Sequence, residues 1–149
     1  NTLINKCIHS LQKVLKRAIP KLEAGVFEVI KQDERRATYT CARNPDDGII
    51  DWKASSRKIY NLIRALTYPF PGAYTYFEGK KLTIWSCEEH KIQKYEGRIP
   101  GKIIKVEKGK GVVVLCGDGA LLIKNVQIED EKQMRADKIL KSIRKTLGK

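Results

Sequence analysis

The stretch from Gly72 to Gln127 constrains this chain most, because short runs of β-branched and aromatic residues there are cut by glycine turns at close intervals. Such runs fit strands, and strands this short must pair into one small sheet to gain stability. Residues 73–77 turn at Glu78-Gly79 into residues 82–86. Residues 101–106 turn at 108–111 into 112–115, and Gly117-Asp118-Gly119 turns that run into 120–123. Five or six short strands are best closed as a small barrel of the oligonucleotide-fold kind, which removes most sheet edges and carries ligands on one face. Gly109 and Gly111, or Gly117 and Gly119, have no helix after them, which excludes a dinucleotide or P-loop cradle. Hairpin turns account for them, with Asp118-Gly119 a strong turn pair.

On either side of the strands the apolar period changes to three and four. Ile4, Cys7, Ile8, Leu11, Val14, Leu15, Ala18 and Leu22 form one stripe of a helix, kinked or ended by Pro20 and stopped near Gly25. Residues 26–30 read as a short strand-like piece, 37–41 as extended chain, and Asn44-Pro45-Asp46-Asp47-Gly48 as a turn-dense linker loop. A second helix starts near Ser55, capped by Ser55 or Asp51, with Ile59, Leu62, Ile63 and Leu66 inward; Pro69 and Pro71 forbid its continuation. The last element is a helix from about Glu131 whose buried stripe is Ala136, Ile139, Leu140, Ile143 and Leu147. The expected class is α+β, mainly β: a small oligonucleotide-fold-like barrel of five or six strands, preceded by linker helices and closed by a C-terminal helix.

With 149 residues, 42% of them hydrophobic, the chain can bury one core with an appended segment. It has neither a run apolar enough to span a membrane nor a signal-peptide core, so the expectation is a soluble, cytoplasmic protein with no membrane partner. The chain starts at Asn1 inside a helical pattern, which reads as a fragment of a longer protein.

Chemistry is sparse. Cys7, Cys41, Cys87 and Cys116 form no C-x-x-C pair, and Cys7 with His9, or Cys87 with His90, falls short of a tetrahedral site, so no metal is expected. His9 and His90 have no evident nucleophile or orienting partner. Asp46, Asp47 and Asp51 are better explained by turn and cap chemistry than as an acid–base pair. The net charge of +13 favours phosphate-bearing partners. Tyr74, Tyr76 and Trp85 alternate along predicted strands among Lys80, Lys81, Arg98 and Lys102, a pattern that suits base stacking or equally core packing. Arg43, Arg57 and Arg64 could extend the same basic and aromatic face.

Several strings are more specific. Ala37-Thr38-Tyr39, Asp47-Gly48-Ile49-Ile50-Asp51-Trp52, Asn61-Leu62-Ile63-Arg64-Ala65 and Pro69-Phe70-Pro71-Gly72-Ala73-Tyr74-Thr75 closely resemble the linker and first C-terminal elements of the methionyl-tRNA formyltransferase family. Gly79 to Trp85, Pro100 to Ile104 and Cys116 to Leu121 keep the family's order. The resemblance implies residues 1–50 as the end of an N-terminal formyltransferase domain plus linker, and 51–149 as the C-terminal barrel domain. It implies formyl-tetrahydrofolate bound by the absent N-terminal domain, whose Asn, His and Asp do the catalysis, so that this chain alone is inactive and serves to position an amine acceptor. Methionyl-tRNA is the expected acceptor. However, Glu129-Asp130-Glu131 stands where the tRNA enzymes tend to carry basic residues, and the Arg43 to Asp47 linker also resembles amino-sugar nucleotide formyltransferases. A non-catalytic basic barrel that binds RNA is the alternative from a different class.

Overall fold

A computed structural model describes residues 2–149 and divides the chain into two compact units, with the boundary between Ala42 and Arg43. In the first unit, helix α1 spans Thr2–Glu23 and runs through Pro20 instead of stopping there. Proline removes one helical donor, and in the closing turn that loss does little to the ladder. Gly25 then adopts φ +69°, its N–H donates to the Leu22 carbonyl at 3.1 Å and that of Val26 to Lys21 at 2.8 Å, which satisfies the orphan carbonyls of the helix end. The apolar stripe of α1 is exposed, Leu11 at 58% and Val14 at 59%. Residues 26–30 form no strand. No partner strand takes up their backbone groups, and an isolated strand is not stable in water. A single 3₁₀ turn at Glu34–Arg36 is capped by Asp33, whose carboxylate accepts from the Arg35 N–H.

The second unit holds the sheet. Its strands are β1 (Ala73–Phe77), β2 (Lys80–His90), β3 (Ile103–Glu107), β4 (Gly111–Leu115), β5 (Ala120–Ile128) and the short β6 (Met134–Arg135). They form one antiparallel sheet in the order β1-β2-β5-β4-β3, with β6 paired to β5. Strands β1 to β5 lie where the sequence places them, but β2 and β5 are longer, because they pair with each other from Leu82↔Ile128 to His90↔Ala120, and β6 falls where the sequence suggests the start of the C-terminal helix. A bulge at Ser86 lets that pairing continue while the strand bends. Leu82, Ile84, Ile103, Val112, Val114, Leu121, Ile123 and Val126 meet in one core with Trp52, Ile59, Ile63, Leu140 and Leu147. A second cluster of Val113, Leu115, Ala120 and Leu122 lies on the opposite face, covered by Ile92 and Ile104.

Helix α2 (Ser56–Leu66) begins as expected: the Ser55 side chain accepts from the Lys58 N–H, and the Asp118 carboxylate accepts from Ser56 N–H at 2.7 Å. That second bond ties the loop between β4 and β5 to the helix start, 62 residues away in sequence. It also holds the Asp118 carboxyl below its usual range, with the Ser56 backbone N–H the leading cause. Ile59 and Ile63 go into the core, each contributing about 1.5–3 kcal/mol by burial. Asn44 to Gly48 is more regular than a loop: Pro45–Gly48 forms a 3₁₀ turn, closed by the Asn44 N–H donating to Asp47 Oδ2 at 2.7 Å. Gly117 is required by closeness, since a Cβ there would stand 2.0 Å from the Lys53 carbonyl oxygen.

The C-terminal helix is the main correction. Helix α3 is one turn, Ala136–Ile139, and residues 140–149 form an irregular strap with Ile143 half exposed at 55%. Ile103 N–H donates to the Lys145 carbonyl, Leu147 N–H to Gly101 at 2.8 Å, and Gly148 N–H to Tyr76 at 2.8 Å. The strand order leaves β1 and β3 as the two edges of the sheet, and the strap joins them. A continuous helix would bury Ile143 but leave the β3 edge, and the end of the β1 edge beyond the Ile49–Ile50 pairing with Tyr74, without partners, which is the costlier arrangement.

The four cysteines separate by burial: Cys7 and Cys41 are exposed, Cys87 and Cys116 buried. Burial pushes the thiols of Cys87 and Cys116 up to about 12, so neither forms thiolate near neutral pH. A colorimetric thiol reagent is expected to react quickly with two cysteines in the native protein and with all four in denaturant. Fast reaction of a third native thiol would show that the core of the sheet opens readily.

Candidate functional site

Strand alternation sets Tyr74 and Tyr76 on the outer face of β1, opposite Thr83 and Lys81 of β2. Tyr74 is nevertheless buried at 6% exposure. Its hydroxyl donates to the Asp46 carbonyl at 3.3 Å, and Lys81 Nζ lies 4.2 Å from its ring centroid. Tyr76 meets it edge-on at 5.9 Å and keeps 41% of its surface. Of these two rings, Tyr76 is the one with free area for a ligand. Lys80 is exposed at the same hairpin. On β2, the Trp85 indole donates to Gln127 Oε1 at 2.9 Å, and the Gly72 backbone packs against it so closely that a Cβ would lie 3.3 Å from the ring. Trp85 lines a groove of about 410 Å³ with Pro71, Lys81, Thr83, Gln127, Glu129 and Asp130.

The other candidate residues do not join that face as a single patch. Arg98 donates to the carbonyls of Cys116 and Gly119, and Lys102 Nζ to that of Arg144 at 2.8 Å; both hold backbone in place. Arg43 lines a mostly apolar cleft of about 380 Å³ with Asn44, Asp47, Leu66, Phe70 and Pro71 among its walls. Arg57 and Arg64 stand on α2, on either side of Tyr60, with guanidinium carbons 5.9 and 5.2 Å from its ring centroid. Arg57 also pairs with Glu89 at 3.1 Å. Tyr60 was not among the sequence candidates, although Arg57, Tyr60 and Arg64 share one helix face by their spacing of three and four.

The linker carboxylates hold backbone. Asp47 accepts from the Asn44 N–H and Asp51 from the Lys53 N–H at 2.9 Å, so these carboxylates serve turns. Among the described residues, no group of three or more His, Cys, Asp or Glu is placed to hold a metal ion. No described helix is long and apolar enough to cross a membrane.

The second unit is a small β domain of a recognisable kind, with cationic and aromatic side chains on its surface and with Asp47, Asp51 and Asp118 holding turns and a helix start. Comparison with known proteins specifies which. Residues 43–144 match the model of the formyl transferase C-terminal domain, and the chain belongs to that family. It is 38% identical over 131 residues to the methionyl-tRNA formyltransferase of Carboxydothermus hydrogenoformans, covering 88% of this chain and 41% of that protein. The chain thus spans under half the length of that relative. Among solved structures, HypX from Aquifex aeolicus has a similar fold in a multiply substituted variant, with TM-score 0.64 and 17% identity over 87% of this chain and 22% of HypX. HypX in complex with tetrahydrofolic acid gives TM-score 0.62, also at 17% identity, over 86% of this chain and 22% of that one.

Proposed function

We propose that this chain is the C-terminal portion of a formyl-tetrahydrofolate-dependent N-formyltransferase and positions methionyl-tRNA as the amine acceptor. The observation that carries the reading is the 38% identity to a methionyl-tRNA formyltransferase across nearly the whole chain, joined to a net charge of +13. Residues 1–50 are assigned to the end of the N-terminal formyltransferase domain and its linker, and 51–149 to the acceptor-holding barrel of the oligonucleotide-fold kind. The cytoplasm is the compartment this role implies.

The folate does not fit this chain's own residues. The 380 Å³ cleft has mostly apolar walls, and Asp47, its carboxylate, already accepts from Asn44, leaving too few free polar groups to read a pterin ring. Binding of the cofactor and the proton transfers therefore belong to the N-terminal domain, and the chain alone is inactive. Its own contribution is proximity: holding the acceptor so that its amine meets the reacting carbon. Exposed Tyr76 on the β1–β2 face is the candidate for stacking on a base, with Arg43 at the linker.

An amino-sugar nucleotide is the second reading, favoured by one observation. Glu129 and Asp130 share the Trp85 groove, and a carboxylate pair beside an aromatic ring suits a cationic amine on a sugar better than a phosphate. Binding of the chain to tRNA is expected to be weak and to fall linearly in log–log terms with salt. Fluorescence titration with tRNA and with a UDP-linked amino sugar at several salt concentrations separates the two readings. No tRNA binding at low salt, together with saturable binding of the sugar nucleotide, overturns the tRNA reading.

A further inference from the structure

We infer that the solvent face of α2 is a phosphate-backbone clamp for RNA, built from two arginines that Tyr60 holds in place. The inference rests on the RNA reading above and changes where the nucleic acid lies, moving its phosphates from the sheet face to the helix. Three observations carry it. First, Arg57, Tyr60 and Arg64 fall on one exposed or half-exposed helix face, beside the face that buries Ile59 and Ile63, with Tyr60 anchored by packing on the edge of the core. Both guanidiniums lie within cation–π range of the same ring, at 5.9 and 5.2 Å. Second, this arrangement reduces the entropy lost on binding, because a guanidinium already set on a ring has fewer rotamers to give up. The backbone positions of the two arginines lie about 10 Å apart along the axis and both side chains lean on the ring between them, which suits neighbouring phosphates of one strand. Third, the sheet face is a poor alternative for a polyanion: Lys81 lies over Tyr74, and its groove also carries Glu129 and Asp130.

Glu89 sets the terms of the exchange. Its carboxylate pairs with Arg57 at 3.1 Å, and both side chains are well exposed. A phosphate that engages Arg57 bidentately must replace this carboxylate, and a surface pair of this kind is weak enough to yield. Tyr60 is a positioning residue in this scheme: it touches no phosphate and acts through the two arginines.

The test measures tRNA affinity against salt for the full 149-residue chain and for Arg64→Ala, Tyr60→Phe, Tyr60→Leu and Glu89→Gln, with thermal unfolding as the folding control. Arg64→Ala is expected to bind roughly fivefold more weakly at low salt and to lose about 0.7–0.9 from the log–log salt slope, the signature of one lost phosphate contact. Tyr60→Phe keeps the ring and should bind like the parent. Tyr60→Leu should weaken binding with the slope unchanged, because both charges remain. Glu89→Gln should bind about twofold tighter or more, as Arg57 no longer has to leave an anion. If the parent binds tRNA and Arg64→Ala keeps its full slope, the clamp is wrong and the acceptor reading stands. If the parent does not bind at low salt, the acceptor reading fails first. Unchanged or weaker binding by Glu89→Gln removes Arg57 from the contact.

Discussion

A chain ending at Ser142 is expected to lose most of its cooperative unfolding transition, although the deleted residues include only one buried apolar side chain. Leu147 is 2% exposed, and truncating such a side chain alone costs about 2–5 kcal/mol. The deletion also removes the acceptor of the Ile103 N–H and the donors to Gly101 and Tyr76, so it opens the sheet at both of its edges. Small domains are stable by roughly 5–15 kcal/mol in total, and losses of this size take up much of that. Urea denaturation followed by circular dichroism should show a collapsed midpoint, and the exposed β1 and β3 edges should promote aggregation. Gly101→Ala is the milder form of the same test: Gly101 sits at φ +82°, and a Cβ would stand 2.4 Å from the Leu147 carbonyl oxygen. A truncated chain that unfolds at the parent's urea concentration would show that the strap closes nothing.

The strap also shows where legibility in the sequence ended. Residues 131–147 have a genuine helical apolar period, and periodicity alone predicts a helix. The override lies elsewhere in the chain: the strand order leaves two edges open, a topological fact that no local window contains. Strands β1 and β4 were legible because their turns are marked by Glu78-Gly79 and by the glycines at 109 and 111. The length of β2 was hidden, since its second half depends on pairing with β5 across a bulge. For residues 26–30 the failure has the opposite origin. Their composition favours a strand, but β structure needs a partner, and these residues pair with no described strand.

The candidate site was legible in its residue types and less so in their employment. A charge of +13 suggests that basic side chains are free for a ligand, yet several are committed to the fold. Arg98 holds the 116–119 loop, Lys102 holds the strap, Lys145 pairs with Glu78 at 2.7 Å and Lys124 with Glu88. Exposed pairs of this kind are worth little individually, but each removes a free cation from the field a phosphate would meet. The aromatic positions behave similarly. Tyr74 has the alternation of a stacking residue but is buried under Lys81, whereas Tyr60, on a helix and outside the strand pattern, has an arginine on each side. Side-chain period identifies a face, and only the packing over that face decides whether a ligand can reach it.

Trp52→Ala is expected to cost about 3–5 kcal/mol, an effect comparable to that of losing the strap and physically connected to it. The indole is 5% exposed within the core, and the Gly148 backbone lies against it, with a Cβ there only 3.2 Å from Trp52 Cδ1. Its Nε1–H donates to Thr75 Oγ1 at 3.0 Å, on a β1 residue that is 1% exposed. One side chain therefore links the segment before α2, the first strand and the end of the chain. Substitution by phenylalanine separates the two contributions. Trp52→Phe keeps most of the apolar ring but removes the donor from a buried hydroxyl oxygen, at about 1–3 kcal/mol. Thr75→Val in the Trp52→Phe background removes the unpaired hydroxyl as well and should recover part of the loss, since replacing both hydrogen-bonding partners by apolar groups is far cheaper than replacing one. The cycle is read from urea midpoints of the parent, both single variants and the double variant. If the double variant loses the plain sum of the two single losses, the Trp52–Thr75 bond contributes nothing to stability, and the indole acts through its bulk alone.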